Sequence, residues 1–203
     1  MTEKKAIKHL KQDPKFAKII PNIGKYNVKL TKNRYRSLVE AIIAQQLSGS
    51  AAESILKRFR KLYSSNFPKP IEVLQTSEHK LRKVGLSKMK VIYIKELSKK
   101  IEIGHLNMRN FSSMEDEQII EYLTNLKGIG RWTAEMFLIF SMGRWDVLPV
   151  GDLGLKKGIQ LMYSLKQLPS EEQIIQYAES WRPYRTVATW YIWKSLKKFD
   201  TIG

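Results

Sequence analysis

Two short stretches hold the residues whose types and spacing could do chemistry. The first is Leu126-Lys127-Gly128-Ile129-Gly130-Arg131-Trp132-Thr133-Ala134. Two glycines separated by one apolar residue permit a turn with positive φ and an uncovered backbone. The helix predicted to begin at Trp132 turns its free N–H groups and positive dipole end toward that turn, which suits a phosphate oxygen. Lys127 and Arg131 add charge beside it, and the apolar Ile129 is expected to plug the turn into the core. Gly-x-Gly alone would equally fit an ordinary turn between packed helices; the full run, helix to helix, favours the phosphate reading. The second stretch is Leu148-Pro149-Val150-Gly151-Asp152-Leu153-Gly154. Asp152 is placed to start a helix as its N-cap, and a helix N-terminus favours the ionised carboxylate.

Composition narrows the chemistry further. The chain has 203 residues and no cysteine, which removes disulfides, thiolate catalysis and every cysteine-ligated zinc or iron–sulfur site. His9, His79 and His105 share no short metal-binding spacing. Lys plus Arg number 36 against 19 Asp plus Glu, a net charge of +17, and such an excess attracts a polyanion. Lysines occur in every segment, however, and solvated lysines would give the same total, so the charge acquires meaning only beside a motif. Apolar residues make up 43% and are spread throughout, which argues for a folded chain. No apolar run approaches a membrane span, and the lysine-rich start lacks the apolar stretch of a signal peptide. A soluble intracellular protein is expected.

The elements that must position these residues read as helix after helix. Pro14 is expected to open a short helix ended by Pro21, Asn22 and Gly24. Thr31 is a candidate N-cap for a helix to Gln46 with Leu38, Ile42 and Ile43 on one face, and a second helix covers Ala51 to Tyr63. Short helices fit Ile71 to Gln75 and Glu78 to Val84, the latter closed by Gly85. Lys88 to Ile103 is helical. Ser113 with Asp116 forms a capping box for a helix to Leu126. Trp132 to Ser141, a helix from Asp152, a second capping box at Ser170 and Gln173, and Tyr184 to Lys198 complete the chain. The expected class is all-α.

The hairpin run resembles that of helix-hairpin-helix (HhH-GPD) DNA glycosylases, whose pattern is apolar-x-Gly-apolar-Gly-x-x-Thr-Ala. In that superfamily a Gly/Pro-rich loop with an aspartate follows, as Asp152 does here. Ala41-Ile42-Ile43-Ala44-Gln45-Gln46-Leu47-Ser48 resembles the helix end and loop that enter the minor groove. Trp181-Arg182-Pro183-Tyr184-Arg185 and the aromatic-rich helix through Trp193 resemble the alkyl-base (3-methyladenine type II) branch in its compact form.

The resemblance implies a two-lobed helical bundle with a cleft between the lobes, one lobe over residues 31–150 and the other over 1–30 plus 151–203. It implies a DNA repair enzyme that flips a damaged base out of double-stranded DNA and hydrolyses its N-glycosidic bond in base excision repair. Asp152 would be catalytic, since loss of the base leaves an oxocarbenium-like sugar that a negative charge stabilises. Trp132 stands where strand-nicking relatives carry a Schiff-base lysine. Lys127 and Lys156 are nearby in sequence but not at the matching place, so a monofunctional enzyme using water is expected. A methylated purine such as 3-methyladenine or 7-methylguanine is cationic and would be drawn to an aromatic face. Trp132, Met136 and Trp193 are the implied base pocket, with core packing an equal reading for Met136 and Trp190. Gln46 or Leu47 would fill the gap left by the flipped nucleotide; solvation of a helix end by Gln45 and Gln46 is the plainer alternative. Lys127, Gly128, Gly130, Arg131 and Thr133 would contact phosphate. By analogy, carbonyls of Thr124, Leu126 and Ile129 would hold a Na⁺ or K⁺ ion. No other cofactor and no iron–sulfur cluster is expected, nor a membrane; the protein would be a monomer working in cytoplasm and nucleoid, or in a nucleus. Arg185 is expected to pair with a carboxylate near Asp152. Two other functions fit parts of the pattern: a bifunctional glycosylase and strand-nicking lyase, or a non-catalytic hairpin module that clamps DNA. An RNA-binding role has only the charge behind it.

Overall fold

A computed structural model describes residues 2–65 and 67–199, with side chains through Leu196. The described residues form α1 (Glu3–Leu10), α2 (Pro14–Ile23), α3 (Arg34–Ala44), α4 (Gly49–Arg60), α5 (Pro70–Gln75), α6 (Glu78–Lys83), α7 (Lys88–Glu102), α8 (Asp116–Thr124), α9 (Arg131–Phe137), α10 (Leu153–Tyr163), α11 (Glu171–Glu179) and α12 (Arg185–Phe199), and no strand. No helix among them is long and apolar enough to cross a membrane.

The chain divides into two compact units. Leu30–Met142 form one; the residues up to Lys29 and those from Gly143 on form the other. The resemblance puts the second crossing after residue 150, but the structure puts it after Met142. The reason is packing: Trp145, Leu148 and Val150 lie against the apolar core of the unit built from both chain ends, and Asp146 is ion-paired with Arg182 and Arg185 there.

In the terminal unit α12 packs on α10 and α2. Phe16, Trp181, Tyr191, Leu155 and Ile159 are fully buried or nearly so, and Phe16 meets Trp181 edge-on at 5.4 Å. α2 runs past Ile20 and through Pro21 to Ile23. So late in a helix proline removes a single backbone bond, and Ile19, Ile20 and Ile23 all pack on the core. In the central unit α3 packs on α4, α7 and α9, and α8 on α9, with Leu38, Ile42, Ile43, Phe59, Ile94 and Phe137 buried.

Several helix ends differ from the sequence reading. Asn33, not Thr31, caps α3, accepting from Arg36 N–H. Thr31 is committed elsewhere: its N–H donates to Phe140 O and its carbonyl accepts from Ser141 Oγ. α4 begins at Gly49, capped by Ser48. α8 is opened by Glu115 with Gln118, whose side chain accepts the Glu115 N–H at 3.0 Å, while Ser113 ends a 3₁₀ turn over Arg109–Ser113. The helix expected to run to Ser141 changes after Phe137 into a π-helical turn over Leu138–Met142. The Ser170–Gln173 capping box forms as read from the sequence.

Candidate functional site

In the central unit the first candidate is the loop after α3. Gln45 leaves the helix with extended backbone, and Gln46 takes φ +56°, in the left-handed region that side chains disfavour. Gln46 is exposed, and Leu47 is 38% exposed. Lys90 of α7 donates from Nζ to the carbonyls of Ile43 and Gln45, each at 2.8 Å. It satisfies carbonyls that the helix end leaves open and sets a positive charge at the negative end of the dipole. Burial holds the Lys90 ammonium below its ordinary pKa range. Gln45 turns inward: its Nε2 donates to Gly128 O and to Thr133 Oγ1, both at 2.8 Å.

Those acceptors belong to the hairpin between α8 and α9. Gly128 has φ +82°, and its α-carbon lies so close to Tyr93 that no side chain fits there. Ile129 is buried, as expected of a plug, and its N–H donates to Leu126 O at 3.0 Å. Gly130 is the bare N-cap of α9. Lys127 is 76% exposed at its side chain and 3.8 Å from Glu96, so its charge faces solvent.

Two predicted phosphate ligands are placed otherwise. The Arg131 guanidinium forks onto both oxygens of Glu117, at 2.5 and 3.0 Å, and bonds the buried Glu135 at 3.1 Å. Those bonds hold the Glu117 carboxyl below its ordinary range. Arg131 is thus committed to pinning α9 on α8. The Thr133 side chain is buried and takes the Gln45 bond, which leaves phosphate contact to its backbone N–H in the first turn of α9. Trp132 stands half-buried in that turn, and Met136, one turn on, is only 7% exposed.

The carbonyls of Thr124, Leu126 and Ile129 are neutral oxygens at the C-terminal end of α8 and in the turn after it. The Leu126 carbonyl carries one amide and keeps a second lone pair. Such donors fit a monovalent cation rather than a transition metal. Among the described residues no group of three His, Cys, Asp or Glu could hold a metal ion.

In the terminal unit Asp152 is the N-cap of α10. Its Oδ1 accepts from Leu155 N–H at 2.6 Å and from the indole Nε1–H of Trp193 at 2.7 Å. Gly154 makes room for this: a Cβ there would stand 3.0 Å from that oxygen and 3.2 Å from the Trp193 ring. Trp193 therefore holds the aspartate by hydrogen bond, a role its reading as a pocket aromatic did not include. Trp190 is buried, edge-on to Tyr26 and Tyr191, which settles it as core. Lys156 is turned to Glu171 at 3.6 Å.

The loop carrying Asp152 is held from behind by a residue the sequence reading missed. Asp146 receives Arg185 Nε at 2.8 Å and Nη2 at 2.9 Å, and Arg182 Nη1 at 3.0 Å. The carboxylate expected for Arg185 is Asp146, in the loop that leads to Asp152. Thr186 completes the clamp, donating to Arg144 O and accepting from Val147 N–H. The signal available was the arginine pair itself; the partner was not readable from spacing.

Residues 39–183 match the HhH-GPD superfamily of base excision DNA repair proteins. The chain belongs to this superfamily. The HhH-GPD match spans the Gln46 loop, the hairpin and Asp152, and it stops before Trp193. The chain is 33% identical to DNA-3-methyladenine glycosylase 1 of Schizosaccharomyces pombe over 93% of its own length and 85% of that protein's. Among solved structures it is similar to a 3-methyladenine DNA glycosylase of that yeast in complex with abasic DNA, with TM-score 0.90, 34% identity and coverage of 95% and 97% of the two chains. It also resembles a DNA-3-methyladenine glycosidase from Bacillus halodurans, with TM-score 0.80, 37% identity and coverage of 99% and 92%.

Proposed function

We propose that this HhH-GPD protein is a monofunctional DNA glycosylase that binds double-stranded DNA as a monomer and removes alkylated purines of the 3-methyladenine and 7-methylguanine type. The observation that carries the reading is Asp152, capped onto α10 and held at one oxygen by two N–H donors. A relative solved with abasic DNA supports DNA as the partner.

In the reaction the bond between C1′ and the purine nitrogen breaks, and its electron pair leaves with the base. A purine already carrying a methyl-derived positive charge leaves neutral, so no strong general acid is required. The cationic sugar left behind is stabilised by the Asp152 carboxylate, in a site fixed before the charge develops. Water adds to C1′ and gives up its proton to Asp152 or to solvent. Trp132 takes the place of a lysine nucleophile, so no Schiff base forms and the strand stays whole. It offers an aromatic face to a cationic base. Lys127 and the N–H groups at Gly130 and the first turn of α9 hold phosphate. A Na⁺ or K⁺ on the Thr124, Leu126 and Ile129 carbonyls would supply positive charge beside that phosphate.

The test is base release from a duplex bearing one 3-methyladenine, with borohydride added in parallel. Free base, an intact strand and no trapped adduct are expected. A borohydride adduct would replace this reading with a lyase. No release from that lesion, hypoxanthine, ethenoadenine or uracil would leave a DNA-clamping module.

Trp193 should matter to the rate. A hydrogen bond to a charged group contributes about 1.5–3 kcal/mol, and Trp193→Phe removes the donor while keeping an aromatic ring. Base release is expected to slow about tenfold, measured in single turnover. An unchanged rate would show that Leu155 N–H alone suffices to orient the carboxylate.

A further inference from the structure

We infer that Gln45 and Lys90 form a brace that couples the base-flipping loop to the phosphate-gripping hairpin, so that they set how well the enzyme opens a paired duplex. The inference rests on the glycosylase reading above and assigns Gln45 a role different from that of its neighbour Gln46. Both are glutamines at a helix end, yet they point opposite ways. Gln46 is exposed in a left-handed conformation. A non-glycine residue holds such a conformation only where its surroundings over-determine it.

Here they do. Just before Gln46, the Gln45 carbonyl and the Ile43 carbonyl are both tied to Lys90 Nζ. Just after it, Leu47 N–H donates to Ala44 O at 3.2 Å and Ser48 caps α4. The Gln45 side chain crosses to the hairpin, where one amide nitrogen bonds Gly128 O and Thr133 Oγ1. Gly128 and Thr133 flank the bare Gly130 cap. The brace therefore fixes the distance between the point that would enter the base stack and the point that would hold the backbone.

Extruding a paired base costs a few kcal/mol, and least where the base is already unpaired. A wedge at a fixed distance from the anchored backbone can act against that cost; one on a loose loop yields instead. The brace thus acts on flipping, through Gln46, and not on bond cleavage. Gln45 and Lys90 are positioning residues.

The experiment compares single-turnover release of 7-methylguanine placed opposite cytosine with release of the same lesion opposite a tetrahydrofuran abasic analogue, at saturating enzyme. The readout is the ratio of paired to unpaired rates. In Gln45→Leu and Lys90→Met the ratio is expected to fall about tenfold, as it should in Gln46→Gly, where the wedge is gone and glycine suits the backbone. Gln45→Glu keeps the shape and loses both N–H donations, so it tests the brace should the leucine variant fold poorly. Lys90→Arg, which can still reach carbonyls, should restore part of the ratio. A purely structural role would lower both rates together; an unchanged ratio in Gln45→Glu and Lys90→Met overturns the brace. No release in either context by the unaltered protein, together with none from the 3-methyladenine, hypoxanthine, ethenoadenine and uracil duplexes above, overturns the glycosylase reading itself, and the brace with it; release of 3-methyladenine alone moves the same paired-against-unpaired comparison to that lesion.

Discussion

Asp152→Asn is expected to slow base release from a 3-methyladenine duplex by about 10²–10³-fold, the loss typical when one preorganised charge-stabilising group is removed. The substitution isolates charge from geometry. Asparagine is as good an N-cap as aspartate, and its carbonyl can accept both the Leu155 N–H and the Trp193 indole N–H that Asp152 accepts now. The α10 start and the loop clamped through Asp146 should persist, so the melting temperature and duplex affinity are expected to stay close to those of the unaltered protein. What disappears is the negative charge that the proposed mechanism sets against the cationic sugar. Single-turnover release, thermal melting and duplex binding on the same preparation check the three expectations together. A rate within threefold of the unaltered protein would remove Asp152 from the chemistry and leave it a cap alone.

Much of this site could be read from residue order, and the parts that could not share a physical reason. Gly128, Ile129, Gly130 and Asp152 were legible because their roles are local. A turn with positive φ, an apolar plug and a helix N-cap each declare themselves within a few residues. Arg131 and Thr133 carried the right residue types for phosphate, yet the fold assigns them to Glu117, Glu135 and Gln45. Thr133 and Gln45 come from opposite ends of the central unit, and no local rule links them. The same holds for Asp146, whose partners Arg182 and Arg185 lie beyond α10 and α11. Trp193 was legible as an aromatic on the last helix, but not as a hydrogen-bond donor to Asp152. Helix ends shifted for a related reason. Thr31 has the chemistry of a cap, but Phe140 and Ser141 engage its backbone, and Asn33 caps instead. Charge told least: +17 is spread over the chain, and several of the cations are neutralised inside the fold.

Gly128→Ala carries the largest expected effect on stability, because two independent costs meet at one atom. At φ +82° an L-residue is strained, at about 1–2 kcal/mol. The added methyl would stand 2.1 Å from Tyr93 Cγ, 2.2 Å from Cδ2 and 2.7 Å from Cβ. Swinging the tyrosine ring away about χ1 relieves the first two contacts. It cannot move Cβ, so α7 and the hairpin must separate, an overpacking cost of about 1–3 kcal/mol. Together these predict a loss of about 2–5 kcal/mol, or roughly 4–20 °C in melting temperature for a chain of this size. Tyr93→Ala separates the two costs. In that background Gly128→Ala should still pay for its backbone and for the Cβ contact, but no longer for the ring, giving a coupling of about 1 kcal/mol or more in a double-mutant cycle. The same separation would draw Gly128 O away from Gln45 Nε2, so the single variant should also lower the ratio of paired to unpaired release. A melting temperature equal to that of the unaltered protein would mean that the hairpin and α7 do not meet as described, and that the close approach of Gly128 to Tyr93 is not what holds the hairpin in place.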